Sequence, residues 1–299
     1  MPRIVFTTTE PFGAYHLEAF AQARQDRHRH YEFLHLLPHL EPVQGEALIT
    51  PVADLAVLHT GCVLVLCGGG FSPWLELVAG YAAGHGIPLA YVKVSRIDES
   101  KLPAGLPVAL AVGWGSVDVE RFAGVWPTAV LLAAGSPQLD ETVESRPEPM
   151  SLLVLSTSAP DERDPSRLLP SALATLRREG WSPTVRLHPR ETGDTWRGFP
   201  VLRGGSLASQ IAGASRVVAY DGSLVAVAAR HGTPVVCFDP GGTGNLLPSA
   251  ALPNVAHDLV SLRRMLTEPG RSDRASLDAI LGQETGGGVR ILDALCALV

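Results

Sequence analysis

The chain has 299 residues, 46% hydrophobic and 18% charged, which is enough for one large domain or two medium ones with well-buried cores. A net charge of −6 and a pI near 5.9 speak against a nucleic-acid surface, because phosphate backbones call for clustered positive charge. The longest apolar runs fall short of the roughly 20 residues of a membrane-spanning helix, and Cys62, Cys67, Cys237 and Cys296 lack metal-ligand spacing. These features, with a first segment that enters a strand without a signal-peptide leader, lead us to expect a cytoplasmic protein with no integral membrane segment.

Strand and helix signals alternate from the first residue. Residues 3–8 read as a strand, 12–29 as a helix and 31–37 as a second strand. Arg24, Arg27, His28, Arg29 and His30 form a basic cluster, read either as cations at a helix end or as a patch facing a phosphate. Residues 62–67 form a wholly apolar run, expected of a parallel strand covered on both faces, and it stops at Gly68, Gly69 and Gly70. Ser72 can cap the helix over 73–85, with Pro73 suited to its first position. Further strands are predicted over 87–94, 108–112 and 129–133.

From 135 to 150 the chain turns polar and rich in Pro and Glu, and the alternation then restarts. We therefore expect an N-terminal domain over 1–140, a linker over 141–150 and a second domain over 151–299. In the second part, strands are expected at 152–155, 184–187, 216–220 and 235–238, and helices at 166–179, 207–212 and from the 221–223 turn to Arg230. Helices are expected at 257–266, 272–281 and 288–299. The pattern predicts an α/β fold of two doubly wound, Rossmann-like domains facing across a cleft, with ligands beyond the carboxyl ends of the strands.

Chemistry-bearing residues fall on the loops after those strands. Glu10 and His16 follow the first strand, and either is a candidate general base for an acceptor hydroxyl; alternatively Glu10 complements a helix dipole and His16 packs on the helix. Gly69 and Gly70 permit close backbone approach to a ligand, or make a plain tight turn. Gly113, Trp114, Gly115 and Ser116 follow another strand, where an indole can meet a base or sugar or simply join the core. His188, Pro189, Arg190 and Glu191 put an imidazole, a cation and a carboxylate on one loop suited to phosphate. Ser206 and Ser223 sit at helix starts, where unpaired N–H groups favour anions, although both can act only as caps. Asp221 and Gly222 break the strand before Ser223, and Thr243 and Asn245 lie in a second Gly-rich loop suited to a diphosphate. GxSxG, HExxH, CxxC and Walker-type patterns are missing, so hydrolase-triad, zinc and redox readings have no support.

Four local patterns resemble the nucleotide-sugar fold shared by GT-B glycosyltransferases and UDP-N-acetylglucosamine 2-epimerases. VLVLCGGG followed by a helix and GIPLAYVKVSR is similar to their strand–GDT–helix–IPV segment, and GSPQLD at 135–140 to the GNPxxD closing the epimerase first domain. His188-Pro189 matches their HP element, and YDGS at 220–223 through GTPVV at 232–236 is similar to the donor-binding DSGG…EA…GxPV block. The chain departs from the family where Gly69 replaces the Asp of GDT, Lys93 the catalytic Glu, and Ala226 and Val227 the ribose-gripping Glu pair. The resemblance implies a divergent member: a transferase binding a nucleotide sugar and an acceptor, with Arg190, Ser206 and Ser223 on the diphosphate and neither metal nor other cofactor required. A resemblance to bacterial sialyl- and polysialyltransferases extends the donor to a CMP-linked sugar. Two further readings remain: a catalytically degenerate nucleotide-binding or scaffold relative, and a sugar-nucleotide hydrolase.

Overall fold

A computed structural model describes residues 1–8, 23, 28–37, 50–59, 61–67, 72–94, 102, 104–141, 143–144, 146–157, 164, 166–188, 191–220, 223–242, 251, 254–282 and 285–299, the side chains of Pro51 and Ser223 excepted. In chain order the first strands are β1 (Arg3–Thr7), β2 (Glu32–Leu36), β3 (Thr50–Val52) and β4 (Cys62–Cys67). Helix α1 (Pro73–Gly84), β5 (Leu89–Val92), β6 (Val108–Gly113), α2 (Ser116–Val125) and β7 (Val130–Ala133) follow. Next come β8 (Glu148–Leu155), α3 (Leu168–Arg178), β9 (Ser182–Arg186), β10 (Val201–Leu202), α4 (Leu207–Gly213) and β11 (Ala214–Ala219). The chain closes with α5 (Ser223–Arg230), β12 (Val235–Phe238), β13 (Val255–Ala256), α6 (Leu259–Thr267), α7 (Arg274–Leu281) and α8 (Gly287–Cys296).

Two compact units result, Met1–Asp140 with Ala279–Val299, and Glu141–Asp278. The first holds a seven-stranded sheet of order β3-β2-β1-β4-β5-β6-β7, the second a six-stranded sheet of order β10-β9-β8-β11-β12-β13. Every described pairing is parallel. Both orders reverse direction once, between β1 and β4 and between β8 and β11, which is the doubly wound arrangement the alternation predicts.

β4 shows why its sequence is apolar without interruption. Its side chains alternate between two cores. Cys62, Leu64 and Leu66 join Leu75, Val78, Ala79 and Ala82 of α1, while Val63, Val65 and Cys67 join Ile291, Leu292 and Leu295 of α8. Thus the C-terminal helix, expected in the second domain, covers a face of the first sheet. Its N-terminus is held by Asp140, whose Oδ1 accepts N–H bonds from Gly286 (2.6 Å) and Gly287 (2.8 Å) and whose Oδ2 accepts one from Gly288 (2.8 Å). That is why the GSPQLD segment ends in an acid: a carboxylate there satisfies three orphan amides and complements the helix dipole. A side chain at Gly287 would put its Cβ 2.6 Å from the Gly135 carbonyl oxygen, so only glycine allows this approach.

Several elements differ from the sequence expectation. β3, β10 and β13 have three, two and two residues, too few for periodicity to register, and α2 buries only Asp118 and Phe122. β8 starts at Glu148, inside the expected linker, because its exposed first residues reach Ala214 before a bulge. The helix expected at 12–29 lies mostly outside the described residues.

Candidate functional site

Among the described residues, three candidates of the second unit, His188, Ser206 and Ser223, follow strands at the carboxyl edge of its sheet. Tyr220 and Ser223 follow β11, His188 follows β9, Ser206 follows β10, and Asp239 to Gly242 follow β12. Parallel strands bring these carboxyl ends together, and the reversal between β8 and β11 opens the crevice where doubly wound sheets take ligands. β11 feeds α5 there because Val217, Val218 and Ala219 are buried under helices, whereas Val225 to Ala228 bury the middle of α5 completely. Ala226 and Val227 therefore point into the core. A Glu there would be an unpaired buried charge.

The helix N-termini at this edge differ in what they offer a ligand. That of α3 is already filled: the buried carboxylate of Asp164 accepts the Leu168 N–H at 2.9 Å and the Leu169 N–H at 2.7 Å. Ser206 caps α4, accepting the Ser209 N–H at 2.9 Å and donating its hydroxyl to the carboxylate of Glu141. With a carboxylate on Ser206 and only seven residues in α4, this terminus is occupied by the protein's own acid rather than presented to a phosphate. α5, which starts at Ser223, opens directly at the switch point.

The loops flanking these termini are held by two guanidiniums. Arg186, buried at the end of β9, donates to the carbonyls of Gly204 (2.9 Å) and Gly205 (3.1 Å) and to Gln210 Oε1 (2.6 Å). Arg203 donates in return to the carbonyls of Glu191 (3.2 Å) and Thr192. The Trp196 indole N–H reaches Ser156 Oγ at 3.1 Å and the Glu191 carboxylate. His188 is half-buried, and burial lowers its imidazole pKa, so at neutral pH it offers a neutral ring.

In the first unit, the ends of β1 and β2 carry a buried polar cluster. Trp74 Nε1–H donates to Thr7 Oγ1 at 3.1 Å, Thr7 donates to the Leu36 carbonyl at 3.0 Å, and Thr8 Oγ1 lies 2.8 Å from His35 Nε2. Burial pushes the His35 pKa down to about 4. The folded protein keeps this imidazole neutral while the unfolded chain protonates it near 6.5, so its contribution is complete above pH 6.5 and is lost as pH falls through about 4. A difference of that size corresponds to about 3 kcal/mol. Urea unfolding at pH 7 and pH 4 is expected to show wild type losing about that much more than His35→Gln.

Lys93 and Asp118 form a second buried group. Lys93 Nζ donates to Asp118 Oδ1 at 2.6 Å and sits 4.5 Å from the centre of the Trp114 ring. Asp118 Oδ2 accepts the Trp114 backbone N–H at 2.8 Å, and the Trp114 indole donates to the Lys93 carbonyl at 3.0 Å. Trp114 is thus a core residue, not a platform for a base. Lys93 is thus a cation whose charge is balanced inside the fold by Asp118. Ser72 caps α1, as its sequence position predicts, by accepting the Leu75 N–H at 3.3 Å.

Glu10, His16, Gly69, Gly70, Arg190, Asp221, Gly222, Thr243 and Asn245 lie outside the described residues, as does the side chain of Ser223. Sequence reasoning passed over Asp164, Arg186, His35 and Asp118. Of these only Asp164 carried a local signal, an acid shortly before an apolar helical run. Among the described residues no group of three or more His, Cys, Asp or Glu side chains could hold a metal ion, and no helix is long and apolar enough to cross a membrane.

No protein-family model matches the chain, and no curated protein matches it in sequence. Solved structures do match in fold. S. aureus MnaA in its UDP co-structure superposes with a TM-score of 0.67 at 12% identity, covering 100% of this chain and 98% of that one. The UDP-GlcNAc 2-epimerase from Neisseria meningitidis bound to UDP-GlcNAc gives 0.60 at 9% identity, with 99% of each chain covered. Phytolacca americana UGT2, complexed with UDP-2fluoro-glucose and pterostilbene, gives 0.60 at 13% identity, again with 99% of each covered. The chain thus shares the two-unit α/β fold of these structures at low sequence identity.

Proposed function

We propose, from a fold shared with UDP-sugar enzymes, that this chain is a metal-independent, cytoplasmic glycosyltransferase using a nucleotide-sugar donor. The observation that carries the reading is that α5 starts at Ser223, just after β11 and at the switch point of the second sheet, beside an α3 terminus filled by Asp164 and an α4 terminus capped by Ser206. The donor diphosphate would bind the first N–H groups of α5, supported by Arg190 and by the loop bearing Thr243 and Asn245. The sugar C1–O bond to the diphosphate breaks and an acceptor oxygen takes its place. The nucleotide leaves with its charge stabilised by amide dipoles and a cation, and Glu10 or His16 accepts the acceptor's proton. Epimerisation is disfavoured, since its acid/base carboxylate is replaced by the buried Lys93.

Calorimetric titration with UDP, CMP, GDP and dTDP tests the reading. One nucleotide is expected to bind, and Ser223→Trp, which sets an indole across the start of α5, to reduce binding beyond detection. The matching sugar nucleotide is then expected to turn over only with an acceptor present. Turnover to water alone would make the protein a hydrolase. Binding without turnover would favour a degenerate nucleotide-binding relative, a reading that the loss of the family carboxylates at Lys93, Ala226 and Val227 supports. Failure of all four nucleotides to bind would end the proposal.

A further inference from the structure

Tyr220, the residue after β11, is anchored from three directions. Its hydroxyl donates to Asp164 Oδ2 at 3.3 Å, and its carbonyl accepts the Cys237 thiol at 3.0 Å. Its ring packs against Trp196 and Phe238, each with centroids 6.3 Å away. Asp164 is itself 1% exposed and bonded to two amides of α3. One buried residue is therefore fixed to α3, to β12 and to the 3-10 turn of Asp194–Trp196, and three positions later the chain is in α5.

We propose that Tyr220 is a positioning residue for the nucleotide, its hydroxyl and Asp164 together fixing the end of β11 from which the chain enters α5. This rests on the donor site proposed above. Filling the core does not require the hydroxyl, since phenylalanine would occupy the same space between Trp196 and Phe238. What the hydroxyl adds is a directional tie from the strand end to the start of α3, across the switch point where the sheet order reverses. Amides that must meet a diphosphate bind it best when their orientation is set before the ligand arrives, because ordering them on binding costs affinity. Asp164 also directs where the anion goes: its carboxylate occupies the α3 amides and repels a second negative group there, which leaves α5 for the phosphate.

The test uses the full chain and whichever of UDP, CDP, GDP and dTDP binds wild type. Tyr220→Phe is expected to raise the Kd of that nucleoside diphosphate about tenfold and to lower the melting temperature by a few degrees, leaving affinity for the bare nucleoside the same. Asp164→Ala is expected to lower the melting temperature as well, and to weaken the diphosphate by a similar factor. The double variant is expected to bind no more weakly than Asp164→Ala, since both changes remove one connection. A wild-type Kd in Tyr220→Phe, equal losses for nucleoside and diphosphate, or penalties that multiply in the double variant would overturn the positioning role alone. If wild type binds none of these four, CMP takes their place in the comparison with the bare nucleoside; binding of none of the five overturns the donor site, and this role with it.

Discussion

Replacing Lys93 by methionine is expected to lower the free energy of unfolding by about 3–5 kcal/mol, because Asp118 is left as an uncompensated buried charge. The ion pair is 7% exposed on the lysine side and 2% on the aspartate side, so water cannot take over. Asp118 also accepts the Trp114 N–H, and a Cβ on Gly113 would overlap its side chain, so the carboxylate cannot swing out to solvent. Pairing Lys93→Met with Asp118→Asn is expected to recover much of the loss, since the amide still accepts the Trp114 bond and no bare charge remains. Urea unfolding at neutral pH measures both variants. A single substitution costing under about 1 kcal/mol, the range of an exposed pair, would show that the pair is solvated.

Removing residues 279–299 is expected to abolish cooperative folding of the first unit. Ile291, Leu292 and Leu295 are fully buried against Ile4, Phe6, Val63 and Val65. At about 1.5–3 kcal/mol per buried side chain, their loss amounts to roughly 5–9 kcal/mol, comparable with the whole stability of a domain. A fragment of residues 1–140, drawn at the boundary read from sequence, is accordingly expected to lack a sharp thermal transition by circular dichroism. The same fragment joined through a short linker to 279–299 is expected to regain it. A cooperative transition in the bare fragment would refute the assignment of α8 to the first sheet's core.

The candidate site was legible in sequence to the extent that its cues are local. A Gly/Ser break between an apolar β-branched run and an Ala/Val-rich helix marks the β11–α5 turn, and Ser72 and Ser206 sit where their helix starts require caps. The partners of those loops were not legible. Tyr220 and Asp164 are 56 residues apart, and Lys93 and Asp118 are 25 apart on a strand end and a weakly amphipathic helix. Nothing in the spacing of such pairs distinguishes a buried partner from a solvated acid or base. His35 likewise reads as one polar residue in an apolar strand until burial beside Thr8 lowers its pKa and keeps its ring neutral.

By itself the sequence determined the alternation of strand and helix, the apolar character of the central strands, and thus a doubly wound α/β chain with its loops at one edge of each sheet. Those properties follow from residue-level propensity and from period-2 burial on two covered faces, which neighbouring residues encode. Only the tertiary structure decided that the last helix returns to the first sheet, that Glu141 occupies the Ser206 terminus where a ligand's anion was expected, and that Asp164 fills the start of α3. Charge satisfaction and the covering of an apolar face depend on which distant segments meet, and that is fixed by packing rather than by any local run of residues.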